Sequence, residues 1–107
     1  MARRPSPSPV AVAIERLGKL AAAGTTPGRM DRAARQVLAE WRAVQEPDIA
    51  RRWASELHAD VLTGLIAAEE QADDADATEP GAVKHMTAVV EALRATRDAL
   101  AAEMLGS

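Results

Sequence analysis

The side chains that could support metal chemistry are few in this sequence. There are two histidines and no cysteine among 107 residues. A helical zinc pair needs a second histidine four residues further on, with a glutamate between. Leu62 follows His58 at that spacing, and Val89 follows His85. Since thiols are absent as well, we expect no zinc site, and we interpret His58 as a residue at the edge of an apolar helix face.

The acidic segment 72–81 has the alternating oxygen ligands that are typical of calcium loops. Asp74, Asp76 and Thr78 match the first alternating positions of an EF-hand loop. The position that requires glycine holds Glu79, however, and the closing glutamate is missing. We therefore predict a solvated, self-repelling linker, and we expect neither a bound metal ion nor a cofactor.

Arrangements for covalent catalysis or phosphate transfer are not found either. No serine lies in a G-x-S-x-G sequence. The glycine-containing turn at residues 24–28 lacks both the spacing of a P-loop and its Gly-Lys-Ser/Thr end. We therefore predict no catalytic residues and expect that the protein is not an enzyme.

Arginine is the chemically informative residue type that remains. Residues 1–52 carry ten Lys/Arg and five Asp/Glu, a net of +5, whereas residues 53–107 carry three and eleven, a net of -8. The basic half suits nucleic acid and the acidic half suits a protein partner. The alternatives are a chance division of charge and an ordinary solvated arginine face. The residues predicted to contact DNA are Arg3, Arg4, Arg29, Arg32 and Arg35.

Four segments with the apolar period of a helix are separated by proline and glycine, and no segment has the alternation of a strand. We predict helices near residues 9–23, 29–45, 48–71 and 81–105. Ser8 and Thr26 each precede a proline and are predicted to be helix N-caps. The predicted fold class is all-α, a four-helix chain arranged as a helical bundle or as helical hairpins. It forms a single domain over residues 10–107, preceded by a disordered basic N-terminal arm at residues 1–9.

The apolar face of each predicted helix indicates the core. The face of the second helix includes Trp41 and Val44, and the face of the third is widened by Leu62 and Ile66. Gly64 is placed on the inner side of the third helix, where it would allow a neighbouring helix to pack closely. Because Phe and Tyr are absent, the core is expected to be thin, which favours self-association or a partner protein.

The last predicted helix has apolar residues at heptad spacing, which predicts packing of helix against helix. Arg97 occupies the one heptad core position without an apolar side chain. Such a residue must extend to solvent, meet an acidic partner or set the register of an oligomer. The alternative is that the stripe belongs to the core of a small bundle. The predicted oligomer interface consists of Val83, Met86, Val90, Leu93, Arg97, Leu100 and Met104.

Two stretches carry a family resemblance: the arginine-rich start, Ala2-Arg3-Arg4-Pro5, and the closing segment, Val89-Val90-Glu91-Ala92-Leu93-Arg94-Ala95-Thr96-Arg97-Asp98-Ala99-Leu100. The chain resembles the small terminase subunits of phages that infect high-GC actinobacteria. The resemblance implies a non-enzymatic oligomeric adaptor that recognises viral DNA and recruits the DNA-packaging motor. The sequence departs from that family in having no clear helix–turn–helix.

A second interpretation comes from another functional class. The chain would be a small structural or regulatory helical interaction module without DNA binding, such as a phage assembly protein or an antitoxin. Salt-dependent DNA binding distinguishes the two interpretations. No apolar run approaches the roughly 20 residues that span a bilayer, and Glu15, Arg16 and Lys19 interrupt any secretory signal. We expect a cytoplasmic homo-oligomer with DNA or a protein as partner and no membrane contact.

Overall fold

The computed structural model of the protein describes residues 8–74 and 79–105, and all four elements in these ranges are α-helices. They are α1 (Pro9–Ala22), α2 (Pro27–Val44), α3 (Pro47–Asp74) and α4 (Pro80–Leu105). The predicted all-α, four-helix chain is confirmed. Of the predicted N-terminal arm, residues 1–7 lie outside the described ranges, and Arg3 and Arg4 are among them.

Each helix begins at a proline, whose fixed φ suits the first helical turn and whose missing N–H is not needed there. Ser8 caps α1 as predicted, since its Oγ accepts a hydrogen bond of 3.0 Å from the Ala11 amide. Thr26 occupies the N-cap position of α2 with extended backbone, but its side chain forms no cap hydrogen bond. At the end of α1, Gly24 adopts a φ of 80°, a left-handed conformation that favours glycine.

α4 organises the bundle because its contacts with α3 and with α2 are by far the most extensive between any two helices. α3 and α4 run antiparallel. Arg94 of α4 meets Glu69 near the carboxyl end of α3, while Met104 shares a cavity with Ala54 near the amino end of α3. The carboxyl end of α2 lies beside the carboxyl end of α4, where Arg42 contacts Glu103. α1 contacts all three other helices, and α3 somewhat more than α2 or α4.

One apolar cluster, to which all four helices contribute, forms the core. Its largest fully buried apolar side chains are Leu17, Met30, Leu57, Val61, Leu65 and Leu100. Thr96 is fully buried among them, and its hydroxyl donates a hydrogen bond of 2.8 Å to the Ala92 carbonyl. This bond within α4 satisfies a polar group that would otherwise be costly to bury.

Four assignments to the inner faces are wrong, three of apolar residues at the margin of a helical stripe and one of a glycine. Val44 is 74% exposed because it is the last residue of α2 and lies beyond the core. Leu62 and Ile66 are 37% and 52% exposed because the neighbouring helices cover a narrower stripe of α3 than its apolar residues span. Gly64 is also exposed, and a Cβ added there would meet no atom within 4 Å, so close helix packing does not explain this glycine.

Candidate interaction surfaces

The heptad residues of α4 divide between the core and the surface. Val90, Leu93 and Leu100 belong to the shared core of the single chain. The members that retain accessible surface are Val83, Met86, Arg97 and Met104. Apart from Arg97, the middle of the predicted oligomer interface is therefore covered by the chain's own helices, and a second copy can reach Arg97 and the ends of the stripe.

Arg97 meets an acidic side chain of its own helix. Its Nη2 lies 3.0 Å from Oδ1 of Asp98, and Nε lies 3.1 Å from the same oxygen. The Arg97 side chain is half-buried and that of Asp98 is exposed. The charge at this heptad position is thus paired at the surface of one chain, without a second copy.

Glu103 joins the carboxyl end of α4 to α2 through two arginines. Arg35 Nη1 donates to Glu103 Oε1 at 2.6 Å, and Arg42 Nη1 donates to Oε2 at 2.8 Å. The hydrogen bond from Arg42, followed by that from Arg35, holds the pKa of Glu103 below its ordinary value, and partial burial opposes this shift. Arg35 is further engaged by Asp31, 3.0 Å from its Nε. Of the residues predicted to contact DNA, Arg35 is therefore occupied within the chain.

Arg29 and Arg32 are placed differently from Arg35. Both are exposed, and within the described ranges neither forms an ion pair. They lie in the first turns of α2, whose first turn contains no acidic residue and whose N-cap side chain is not engaged. The positive end of a helix dipole with free amide groups attracts anions. We call Arg29, Arg32 and the first turn of α2 the arginine face.

A cavity opens at the end of the bundle where α2, α3 and α4 meet. It has a volume of about 440 Å³, and its apolar walls include Leu38, Ala50, Ala54 and Met104. Val44 and Leu105, the last residues of α2 and α4, lie at the same end of the bundle and are largely exposed. We call this cavity the end groove. This groove could not be predicted from the sequence, because its walls come from three separate helices and because Val44 was assigned to the inner face of the second helix.

The rim of the end groove is charged but locally balanced. Arg42 and Arg51 line the groove. Arg42 is neutralised by Glu103, and Arg51 lies 3.1 Å from Oδ1 of Asp48. Since each rim arginine has a carboxylate partner in its own chain, the groove offers apolar contact without a strong field of one sign.

The histidines and the acidic residues that could bind a metal ion do not form a site within the described ranges. His58 is half-buried in α3 and His85 is exposed in α4. Among residues 8–74 and 79–105, no three acidic or histidine side chains come together as a metal site would require. Asp76 and Thr78 of the calcium-like segment lie outside these ranges. In the same ranges, no helix has the length and apolar character needed to cross a bilayer.

Comparison of the chain with protein-family models, with curated proteins and with solved structures finds no match.

Proposed function

We propose that the chain is a cytoplasmic, non-enzymatic helical adaptor that binds the phosphate backbone of duplex DNA through the arginine face. The observation that carries this proposal is the amino end of α2. It presents Arg29 and Arg32 without ion-pair partners among the described residues, beside a first turn with no acidic residue and no side-chain cap. Unpaired arginines and free helix amides are the groups that proteins use to contact phosphate.

The proposed contact is with phosphate and is independent of base sequence. Two arginines and one helix end neutralise few phosphates, and the chain as a whole carries a net charge of -3. Binding should therefore be weak and sensitive to salt, with a slope of log K against log salt of about -2 for two neutralised phosphates. Contacts from Arg3 and Arg4 would make this slope steeper.

The wider role that we propose is in phage DNA packaging. An oligomer of the chain would hold viral DNA and recruit the packaging motor, and the arginine face would supply the DNA contact. This role is supported by the resemblance of the arginine-rich start and the closing helix to small terminase subunits. The arrangement of α4 against α2 keeps Arg35 engaged by Glu103, so the arginine face would act through Arg29 and Arg32.

The test is titration of a fluorescently labelled DNA duplex with the intact protein at several salt concentrations. Arg32→Ala should weaken binding and reduce the magnitude of the salt slope by about 1. Arg52→Ala is the matched control, because Arg52 is also exposed and forms no ion pair in the described ranges, but lies on α3. Equal weakening by the two variants would indicate a response to overall charge, and absence of binding at low salt would overturn the proposal.

A second variant separates binding from stability. Thr26→Asp introduces a carboxylate that caps α2, which should raise the melting temperature because a good N-cap stabilises a helix by about 0.5–2 kcal/mol. The same carboxylate occupies the first-turn amides and repels phosphate, so DNA binding should fall. A variant that is more stable and binds DNA as well as the original protein would exclude the arginine face.

The second candidate function is a helical interaction module that does not bind DNA. It is favoured by the end groove, which combines an apolar cavity of about 440 Å³ with exposed Val44 and Leu105. Exposed apolar surface of this kind often marks a contact with another protein. The DNA titration distinguishes the candidates, because this module would show no binding at any salt concentration.

A further inference from the structure

We propose that two copies of the chain associate through the end groove, in a two-fold symmetric contact in which Val44 and Leu105 of each copy pack against the apolar walls of the other. The proposal gives the end groove one occupant, a second copy of the chain. It does not depend on DNA binding by the arginine face.

One end of the molecule carries both exposed apolar residues and an apolar cavity. A two-fold contact uses the same patch on both partners, so the patch must contain both the protruding and the receiving surface. Leu105 is 88% exposed at the end of α4. It immediately follows Met104, which lines the cavity. Apolar anchors that enter pockets are where binding energy concentrates in protein interfaces, and this end supplies the anchors and the pocket together.

The charged groups at the rim of the end groove are balanced within the chain. The two arginines that line the groove each form an ion pair within their own chain, so these paired groups carry no net charge. These ion pairs are Arg42 with Glu103 and Arg51 with Asp48. A surface with a strong field of one sign repels its own copy, whereas a balanced surface does not. A strongly basic or acidic partner would gain little electrostatic attraction at this end. A second copy of the chain can bind there by apolar contact alone.

The proposed contact uses a different surface from the middle of the heptad stripe. Val90 and Leu93 are buried in the core of each chain, together with Leu100, and they would stay there in the dimer. The contact therefore forms between two folded chains without unpacking α4.

The experiment is sedimentation equilibrium of the intact chain, without DNA, over a wide range of protein concentration. The original protein should pass from the mass of one chain to that of two, and no further, because a two-fold contact closes. Leu105→Glu should weaken association roughly tenfold or more, since it places an unpaired charge against the apolar groove. Ile66→Glu is the matched control, because it also replaces an exposed apolar residue by glutamate but lies on α3, and it should leave association unchanged.

Val44→Glu provides the second variant and should behave as Leu105→Glu does. Both residues are largely exposed, so far-ultraviolet circular dichroism should show the same helix content and folding for each variant. A protein that keeps the mass of one chain at every concentration, masses above two chains, or association that responds to Ile66→Glu and not to Leu105→Glu would each overturn the proposal. Because DNA is absent from this experiment, its failure leaves the arginine face untouched, and failure of the DNA titration leaves the dimer untouched.

Discussion

The indole rings of Trp41 and Trp53 meet edge to face, with their centroids 5.5 Å apart and their planes at 76°. They are the two aromatic residues of the whole chain, and each packs on the other. Trp41 is near the end of α2 and Trp53 is near the start of α3. The contact therefore holds these two helices together beside their short connection.

Trp53→Ala should lower the free energy of unfolding by about 2–3 kcal/mol, somewhat less than a fully buried tryptophan would cost, because Trp53 is half-buried. Urea denaturation followed by far-ultraviolet circular dichroism measures the change. In a double-mutant cycle of Trp41→Leu with Trp53→Leu, the ring contact should give a coupling energy of about 0.5–1.5 kcal/mol. Additive effects would mean that the two rings contribute independently.

Glu103 should make stability dependent on pH in the acidic range. Its pKa lies below the ordinary value of 4.5, mainly because Arg42 donates a hydrogen bond to its charged form. A carboxylate whose pKa is lowered by folding stabilises the protein above its unfolded pKa, and this contribution is lost as the pH falls through the lowered value.

Glu103→Gln should therefore lower the stability at neutral pH and flatten its decline towards acid pH. The loss should be smaller than that of Trp53→Ala, because solvent screens ion pairs at the surface. Thermal melts at a series of pH values measure both effects. Glu91→Gln, an exposed position on the same helix with no ion pair among the described residues, should leave the stability at neutral pH unchanged. Equal losses from the two variants would argue against a specific link between α4 and α2.

Two glycines should respond oppositely to alanine. Gly64→Ala should raise the free energy of unfolding by about 0.5–1 kcal/mol, because the site is helical, exposed and open to a Cβ. Gly24→Ala should lower it by about 1–2 kcal/mol, because a φ of 80° is strained for alanine. Chemical denaturation measures both. Destabilisation by Gly64→Ala would point to a contact of α3 beyond the single chain.

Leu93→Ala should act on stability and leave the association state unchanged. A buried leucine truncated to alanine costs about 2–5 kcal/mol, and Leu93 lies in the core of one chain. The melting temperature should fall, while sedimentation at a temperature where the variant is folded should give the mass of the original protein. A folded variant of reduced mass would show that the heptad stripe itself forms the contact between copies.

The helices could be predicted from the sequence because their limits depend on local chemistry. Prolines at the starts and Gly24 after α1 act within one turn, so the predicted limits of the four helices differ from the observed ones by a few residues. The link through Glu103 could not be predicted, since Arg42 and Glu103 are 61 residues apart. Periodicity indicates which face of a helix is apolar. The width of the stripe that neighbouring helices cover depends on tertiary packing, which the sequence does not reveal. Leu62 and Ile66 were therefore assigned to the core although they are exposed.

The extensive packing of α4 on α2 and α3 also affects when the protein can fold during its synthesis. α1, α2 and α3 leave the ribosome first. The contact between α2 and α3 is small, and each of them packs much more extensively against α4. The parts of α2 and α3 that α4 covers thus remain exposed until the last helix emerges. An incomplete chain that stops before α4 would expose this surface, and such surface promotes aggregation and recognition by chaperones. The core is closed only when Leu100, one of its fully buried residues, has left the ribosome.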